Sequence, residues 1–275
     1  MKQALVSLVL LTIIAIRSMA EGQTTESCQT PPVDSPTSNP APLSSQSPVP
    51  VDRQVSWKML PANLISDQKR IWTFPARLAH MQSWMPTAAI LATTAGLVSL
   101  DPAESAYFRR TSEFNRFNNI FTGRATVVGT IATPLSLYAV GSIRKDSKMQ
   151  HTALLAGEAI ADVELVTTVL KDATGRVRPA AIPARGNFSD SWFENGGSIL
   201  RGSGSFPSGH TIAAFSVATV IARRYGNHRW IPYAAYGMAT LVGFSRLSLS
   251  SHFLSDVFLG GTLGYSISRF TVLRQ

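Results

Sequence analysis

Beyond the first fifty residues, apolar and small side chains gather in blocks of helical length, separated by Pro, Gly, Asp or short polar runs. Strand-type alternation and internal repeats are both absent from the pattern, so an all-α fold is predicted. An amphipathic stretch runs from about Ile65 to Ser83, with Trp72, Phe74, Leu78 and Met81 facing inward or an interface. A nearly all-apolar block follows from Pro86 to Leu100, which Asp101-Pro102 is expected to stop. A polar aromatic stretch covers about Glu104 to Phe121. The remaining segments are Ala125 to Ile143, Thr152 to Leu170, Thr211 to Ala222, Pro232 to Phe244 and Phe253 to Ile267, which together predict a helical bundle of about seven or eight elements.

A membrane-crossing helix needs ~20 apolar residues. Only Ala125 to Ile143 reaches that length without a charge, and it contains Pro134. Thr152 to Leu170 carries Glu158, Asp162 and Glu164, and the run after His210 meets Arg223-Arg224. Most of these helices therefore read as core helices of a soluble or peripherally attached domain, with membrane contact kept open.

The N-terminus has a different character. Residues 1–20 place Lys2 before an apolar run from Ala4 to Ile16, with Ser18 and Ala20 at A-x-A spacing, the pattern of a secretory signal peptide. Arg17 makes an uncleaved anchor the competing reading, and either one exports the rest, to the periplasm or cell envelope. Residues 21–55 are rich in Pro, Ser, Thr and Gln and are expected to form a disordered linker ahead of a helical domain at 56–275. Cys28 is the only cysteine, so no disulfide can form within the chain. Across 275 residues the hydrophobic share is 45%, the charged share 15% and the net charge +9, which supplies a real core and favours anionic partners.

Three clusters give that charge a chemistry. In Lys171-Asp172-Ala173-Thr174-Gly175-Arg176-Val177-Arg178-Pro179, Lys171 and Arg178 stand seven apart (178 − 171 = 7), two turns of a continued helix. Alone, this reads equally as a solvated basic helix end. Gly202 to Thr211 is a small-residue loop running into an apolar helix. Its unpaired N–H groups offer an anion site, to which Ser208 adds a hydroxyl and Gly209 allows close approach, with His210 at the rim; alone, it reads equally as a Ser-capped helix start with a surface histidine. In Ser245 to Asp256, His252 and Asp256 are four apart (256 − 252 = 4) and would share a helix face, the carboxylate fixing the imidazole tautomer, while Arg246 offers a planar fork to phosphate oxygens.

Taken together, the clusters form a kit for phosphoryl transfer. They match K-x6-R-P, P-S-G-H and S-R-x5-H-x3-D in order and spacing, so the sequence resembles the type 2 phosphatidic acid phosphatase and vanadium haloperoxidase superfamily over roughly residues 80–270. The string from Gly204 to Thr211 looks close to that of the bacterial class A acid phosphatases. The resemblance implies His252 as nucleophile forming a phosphohistidine, Asp256 as its orienting partner and His210 as acid and then base. It implies Lys171, Arg178, Ser208, Gly209 and Arg246 as the phosphate cradle. It also implies a metal-independent phosphatase with no cofactor, acting on a phosphorylated small molecule or a lipid phosphate and not on nucleic acid. A vanadium-dependent haloperoxidase and a non-catalytic anion- or lipid-binding envelope protein are the alternatives; the sequence does not address the oligomeric state. Asp162 and Glu164 read as structural polar positions, Arg109, Arg110, Arg116 and Arg124 as a basic rim, and His80, His151 and His228 as ordinary polar positions.

Overall fold

Asp146 and Gly175 bracket the longest helix, Ser147–Thr174, each by a local rule. The Asp146 carboxylate accepts from the Met149 N–H at 3.0 Å, and Gly175 takes a left-handed φ of 50° that returns its N–H to the Lys171 carbonyl. The computed structural model describes residues 53, 55–78, 84–194 and 201–274. The proposed signal peptide and nearly all of the linker lie outside them. No strand occurs among the described residues, and the all-α expectation holds.

The α-helices in chain order are α1 (Leu60–Leu78), α2 (Trp84–Phe108), α3 (Asn115–Ile120), α4 (Gly123–Ile143), α5 (Ser147–Thr174), α6 (Gly209–Arg224), α7 (Trp230–Ser248) and α8 (Leu254–Ile267). A π-helical turn follows at Ser268–Val272. Helix α6 is the hub, packing on α5, α7 and α8 and burying nearly every side chain, Ile212 and Val220 completely. Two glycines on α8 allow its close approach: a methyl at Gly260 would lie 2.9 Å from the Ser208 carbonyl oxygen, and one at Gly264 would overlap that of Ile212.

One expectation is corrected here. Asp101-Pro102 does not stop α2, which runs through it to Phe108. The lost N–H bond is outweighed by tertiary contacts, since Asp101 is fully buried and bound by Arg176 and Ser255. Helix α4, which contains the one segment singled out by length, is the one described helix long and apolar enough to cross a membrane. Only 17% of its apolar window is buried, and Val128, Leu135 and Ile143 stand exposed.

Three carboxylates far apart in sequence, Asp67, Glu158 and Asp162, meet where α1 crosses α5, with ligand-type oxygens all within 4.8 Å of one another. The sequence showed no such cluster because Asp67 lies on a different helix. Arg53 ion-pairs with Asp67 and Glu158 at 2.7 Å each, and Gln68 donates to Asp162 at 2.9 Å. Arg274 stands 4.0 Å from Asp67. Burial pushes both Glu158 and Asp162 up to about 7. An acid with a raised folded pKa stabilises the fold fully below its unfolded value, ~4, and loses that contribution as pH rises through the folded value. Thermal unfolding is therefore expected to occur at lower temperature at pH 8 than at pH 6. Asp162→Asn should lessen that drop and raise the pH 8 midpoint by about 3 °C, the size of ~1 kcal/mol in a chain of this length. Parallel pH curves for the two proteins would disprove the assignment.

Candidate functional site

The three clusters enter one site by different routes. Helix α5 delivers Lys171 from its last turn, and after the left-handed turn at Gly175 the chain doubles back with Arg178 extended, φ −75° and ψ 145°. The pair therefore converges through a loop and not along a continued helix. Helix α6 begins at Gly209, so its free N–H groups and positive dipole end face the site. Ser208 occupies the cap position, yet its hydroxyl pairs with the Thr211 hydroxyl at 2.9 Å and does not cap the backbone. Lys171 stands close by: a methyl at Gly209 would come within 3.3 Å of its Nζ. Arg246 arrives from the last turn of α7, and His252 and Asp256 from the entry to α8.

His252 and Asp256 do not share a helix face as expected. His252 precedes α8, Phe253 caps it, and Asp256 folds back from the first turn to accept the Phe253 N–H at 3.0 Å. The imidazole Nδ1 lies 2.8 Å from the Ser205 carbonyl oxygen and 3.5 Å from the Asp256 carboxylate. A carbonyl can only accept, so Nδ1 carries the proton and Nε2 keeps its lone pair. The tautomer is thus set first by the Ser205 backbone and second by Asp256. Nε2 is buried with no hydrogen-bond partner among the described residues, which leaves it available as a nucleophile.

His210 is oriented the opposite way, with Nε2 3.2 Å from the Gly123 carbonyl, so that nitrogen carries its proton. The neighbouring Phe121 carbonyl accepts from Arg246 at 2.7 Å. The loop leading into α4 therefore contacts two expected site residues, a feature no local motif reveals.

Backbone bonds stitch the clusters together. The Ser205 N–H donates to the Arg176 carbonyl at 2.7 Å, Ser208 N–H to Asp256 at 3.1 Å, and Ala180 N–H to Ser250 at 2.8 Å. The electrostatics follow from this crowding of charge. Burial lowers Lys171, with Arg178 adding to the effect. Arg178 is lowered by burial, and Arg246 falls to about 10 through burial and then Arg178. Burial, Arg246 and His252 together hold His210 down to about 4. Burial also lowers His252, against the pull of Asp256. Burial alone would raise Asp256, but the contact with His252 and the charge of Arg176 outweigh it and hold the group below its usual range.

All eight sequence-derived site residues, Lys171, Arg178, Ser208, Gly209, His210, Arg246, His252 and Asp256, thus converge. Asp162 belongs to the Arg53 cluster, and Glu164 is exposed. Sequence reasoning missed Arg176, Asp101, Ser205 and Ser255. Arg176 is 1% exposed and donates to Asp256 at 2.6 Å and Asp101 at 2.7 Å, while Ser255 bridges Arg176 and Asp101 at 2.8 and 2.6 Å. Its position one residue before Val177-Arg178 was the available signal, but an arginine in a basic run looks solvated until its carboxylates are placed.

Fold and site together define a helical domain in which two histidines and three cations gather at the start of α6. Residues 152–275 match the PAP2 superfamily model. The chain is 42% identical over 72 residues to a lipid A 1-phosphatase of Porphyromonas gingivalis, covering 23% of this chain and 16% of that protein. It is 35% identical over 108 residues to phosphatidylglycerophosphatase B of Bacillus subtilis, covering 36% and 46%. It thus spans less than half the length of these curated relatives. The crystal structure of a transmembrane PAP2 type phosphatidylglycerolphosphate phosphatase from Bacillus subtilis aligns with 78% of this chain and 94% of its own, at 21% identity and a TM-score of 0.37.

Proposed function

We propose that the protein is a metal-independent phosphatase that hydrolyses the phosphate monoester of a lipid through a phosphohistidine. The observation that carries this reading is the free Nε2 of His252 among Lys171, Arg178 and Arg246 at the N-terminus of α6. Nε2 attacks phosphorus, the N–P bond forms as the P–O bond breaks, and the leaving oxygen takes a proton from His210. Water then attacks the phosphohistidine after giving a proton back to His210, and the N–P bond breaks to release inorganic phosphate. The three cations and the α6 N–H groups stabilise the equatorial oxygens, the task a metal performs elsewhere. His210, held neutral by burial and then by the charges of Arg246 and His252, gains its proton more readily once a phosphate dianion offsets that repulsion.

The lipid assignment rests on the surroundings. A cavity of about 870 Å³ lies between α4, α6 and α7, lined by apolar residues such as Val217, Ile221, Met238 and Val242. Phe121, whose carbonyl binds Arg246, lines it too, so the cavity adjoins the cradle. The exposed apolar face of α4 is read as membrane-contacting, in keeping with the export signal proposed at the N-terminus.

The test is release of inorganic phosphate from phosphatidic acid in detergent micelles and from p-nitrophenyl phosphate, with and without chelator. Turnover should survive chelation, and kcat/KM should favour the lipid by about tenfold or more, because each buried methylene contributes ~0.8 kcal/mol. Loss on chelation refutes the mechanism; equal kcat/KM refutes the lipid assignment.

A further inference from the structure

Behind the proposed nucleophile lies a polar network that the mechanism above does not use. Arg176 is buried between the rings of Trp192 and Phe253, its guanidinium carbon 4.2 and 3.9 Å from their centres. One Nη donates to the outer oxygen of Asp256 and the other to Asp101, while Nε donates to Ser191 at 3.2 Å. Asp101 accepts only donors, the Ser255 N–H at 3.0 Å, the Ser255 hydroxyl and Arg176, which is the surrounding of an ionised carboxylate. The other Asp256 oxygen receives the Ser205 hydroxyl and the Phe253 N–H and faces His252. Both Asp256 oxygens are therefore held, and Arg176 supplies the one recorded bond to the outer oxygen, a charge-assisted bond at 2.6 Å.

We propose that Arg176, held by Asp101 and Ser255, is a positioning residue that fixes the orientation of Asp256 and limits the negative charge it presents to His252. This inference rests on the phosphohistidine reading. An Asp256 carboxylate free of Arg176 would rotate and would stabilise the imidazolium more strongly, removing the lone pair that attacks phosphorus. Asp101 makes the arrangement stable, since a buried guanidinium facing one carboxylate alone would remain half-satisfied. The planar fork is required because Asp101 and Asp256 lie on different helices and must be bridged by one rigid group.

The experiment compares wild type, R176K, S255A and H252A on p-nitrophenyl phosphate and phosphatidic acid, with inorganic phosphate as competitive inhibitor and thermal unfolding as a check on folding. A lysine can keep one contact but not both, so R176K should lose about a hundredfold in kcat, as expected for an ångström-scale displacement of a reacting group. Inhibition by phosphate should stay within about threefold, because the cradle cations are untouched. The acid limb of kcat/KM should move to higher pH in R176K, since the freed carboxylate favours protonated His252. S255A, which removes only the bridging hydroxyl, should lose about tenfold and gives the answer if R176K does not fold. Unchanged kcat in folded R176K or S255A, or a loss matched by weaker phosphate binding with an unmoved acid limb, overturns the positioning role. Full activity in H252A overturns the phosphohistidine reading itself, so the two failures are distinguishable.

Discussion

His252→Ala is expected to lower phosphate release by on the order of 10⁴- to 10⁶-fold, the loss seen when a covalent nucleophile is removed from a site whose members act as a unit. The reason is geometric. Nε2 is the buried nitrogen with a free lone pair, while Nδ1 is committed to Ser205 and faces Asp256. Alanine removes the attacking atom and leaves the Ser205 carbonyl without its donor, at a cost of ~1–3 kcal/mol. The variant should therefore fold, unfold at somewhat lower temperature, and still bind inorganic phosphate through Lys171, Arg178 and Arg246. Rapid-quench assays with ³²P-labelled substrate should trap an acid-labile, base-stable phosphoprotein in wild type and none in the variant. Labelling of H252A at the wild-type level would place the nucleophile elsewhere.

The second large effect concerns stability. Gly264→Ala puts a methyl onto the Ile212 carbonyl, in the helix that begins at Gly209. Neither backbone can yield without parting α8 from α6, so the cost is at the upper end of overpacking, about 3 kcal/mol. The thermal midpoint should fall by about 6–12 °C at ~2–4 °C per kcal/mol. Gly260→Ala is milder in contact, 2.9 Å from the Ser208 oxygen, but acts on the cradle and should weaken phosphate binding as well. Gly157 in α5 is the control, since a methyl there meets nothing within 4 Å. Gly157→Ala should match or exceed wild-type stability, because alanine favours the helix by up to ~1 kcal/mol. Equal midpoints for the Gly264 and Gly157 variants would show that the close approach of α8 is not structurally required.

The helix count and the content of the site were legible because both depend on short-range patterns. Blocks of apolar residues marked α4 to α8 to within a few positions, and the signature named eight residues that the fold brings together. The errors share a cause. Asp101-Pro102 is a stop signal by local rules, and α2 passes it because Arg176, 75 residues away, binds Asp101 from another element. Spacing four apart suggested that His252 and Asp256 meet along a helix; they meet across its cap, which spacing cannot distinguish from a helix face. The Asp67–Glu158–Asp162 cluster and the exposure of α4 follow from which helix crosses which.

Residue identity and spacing decided the helical architecture, the small-residue entry to α6 and the list of groups proposed to do phosphoryl chemistry. Those features follow from neighbours within about two turns along the chain. Packing alone decided that Nδ1–H of His252 donates to the Ser205 carbonyl, that Arg176 and Asp101 stand behind Asp256, and that the Phe121–Gly123 backbone lies against Arg246 and His210. Contacts of this kind join atoms 47 to 125 residues apart. They exist only after hydrophobic burial has set the helices against one another, and no local rule carries that information.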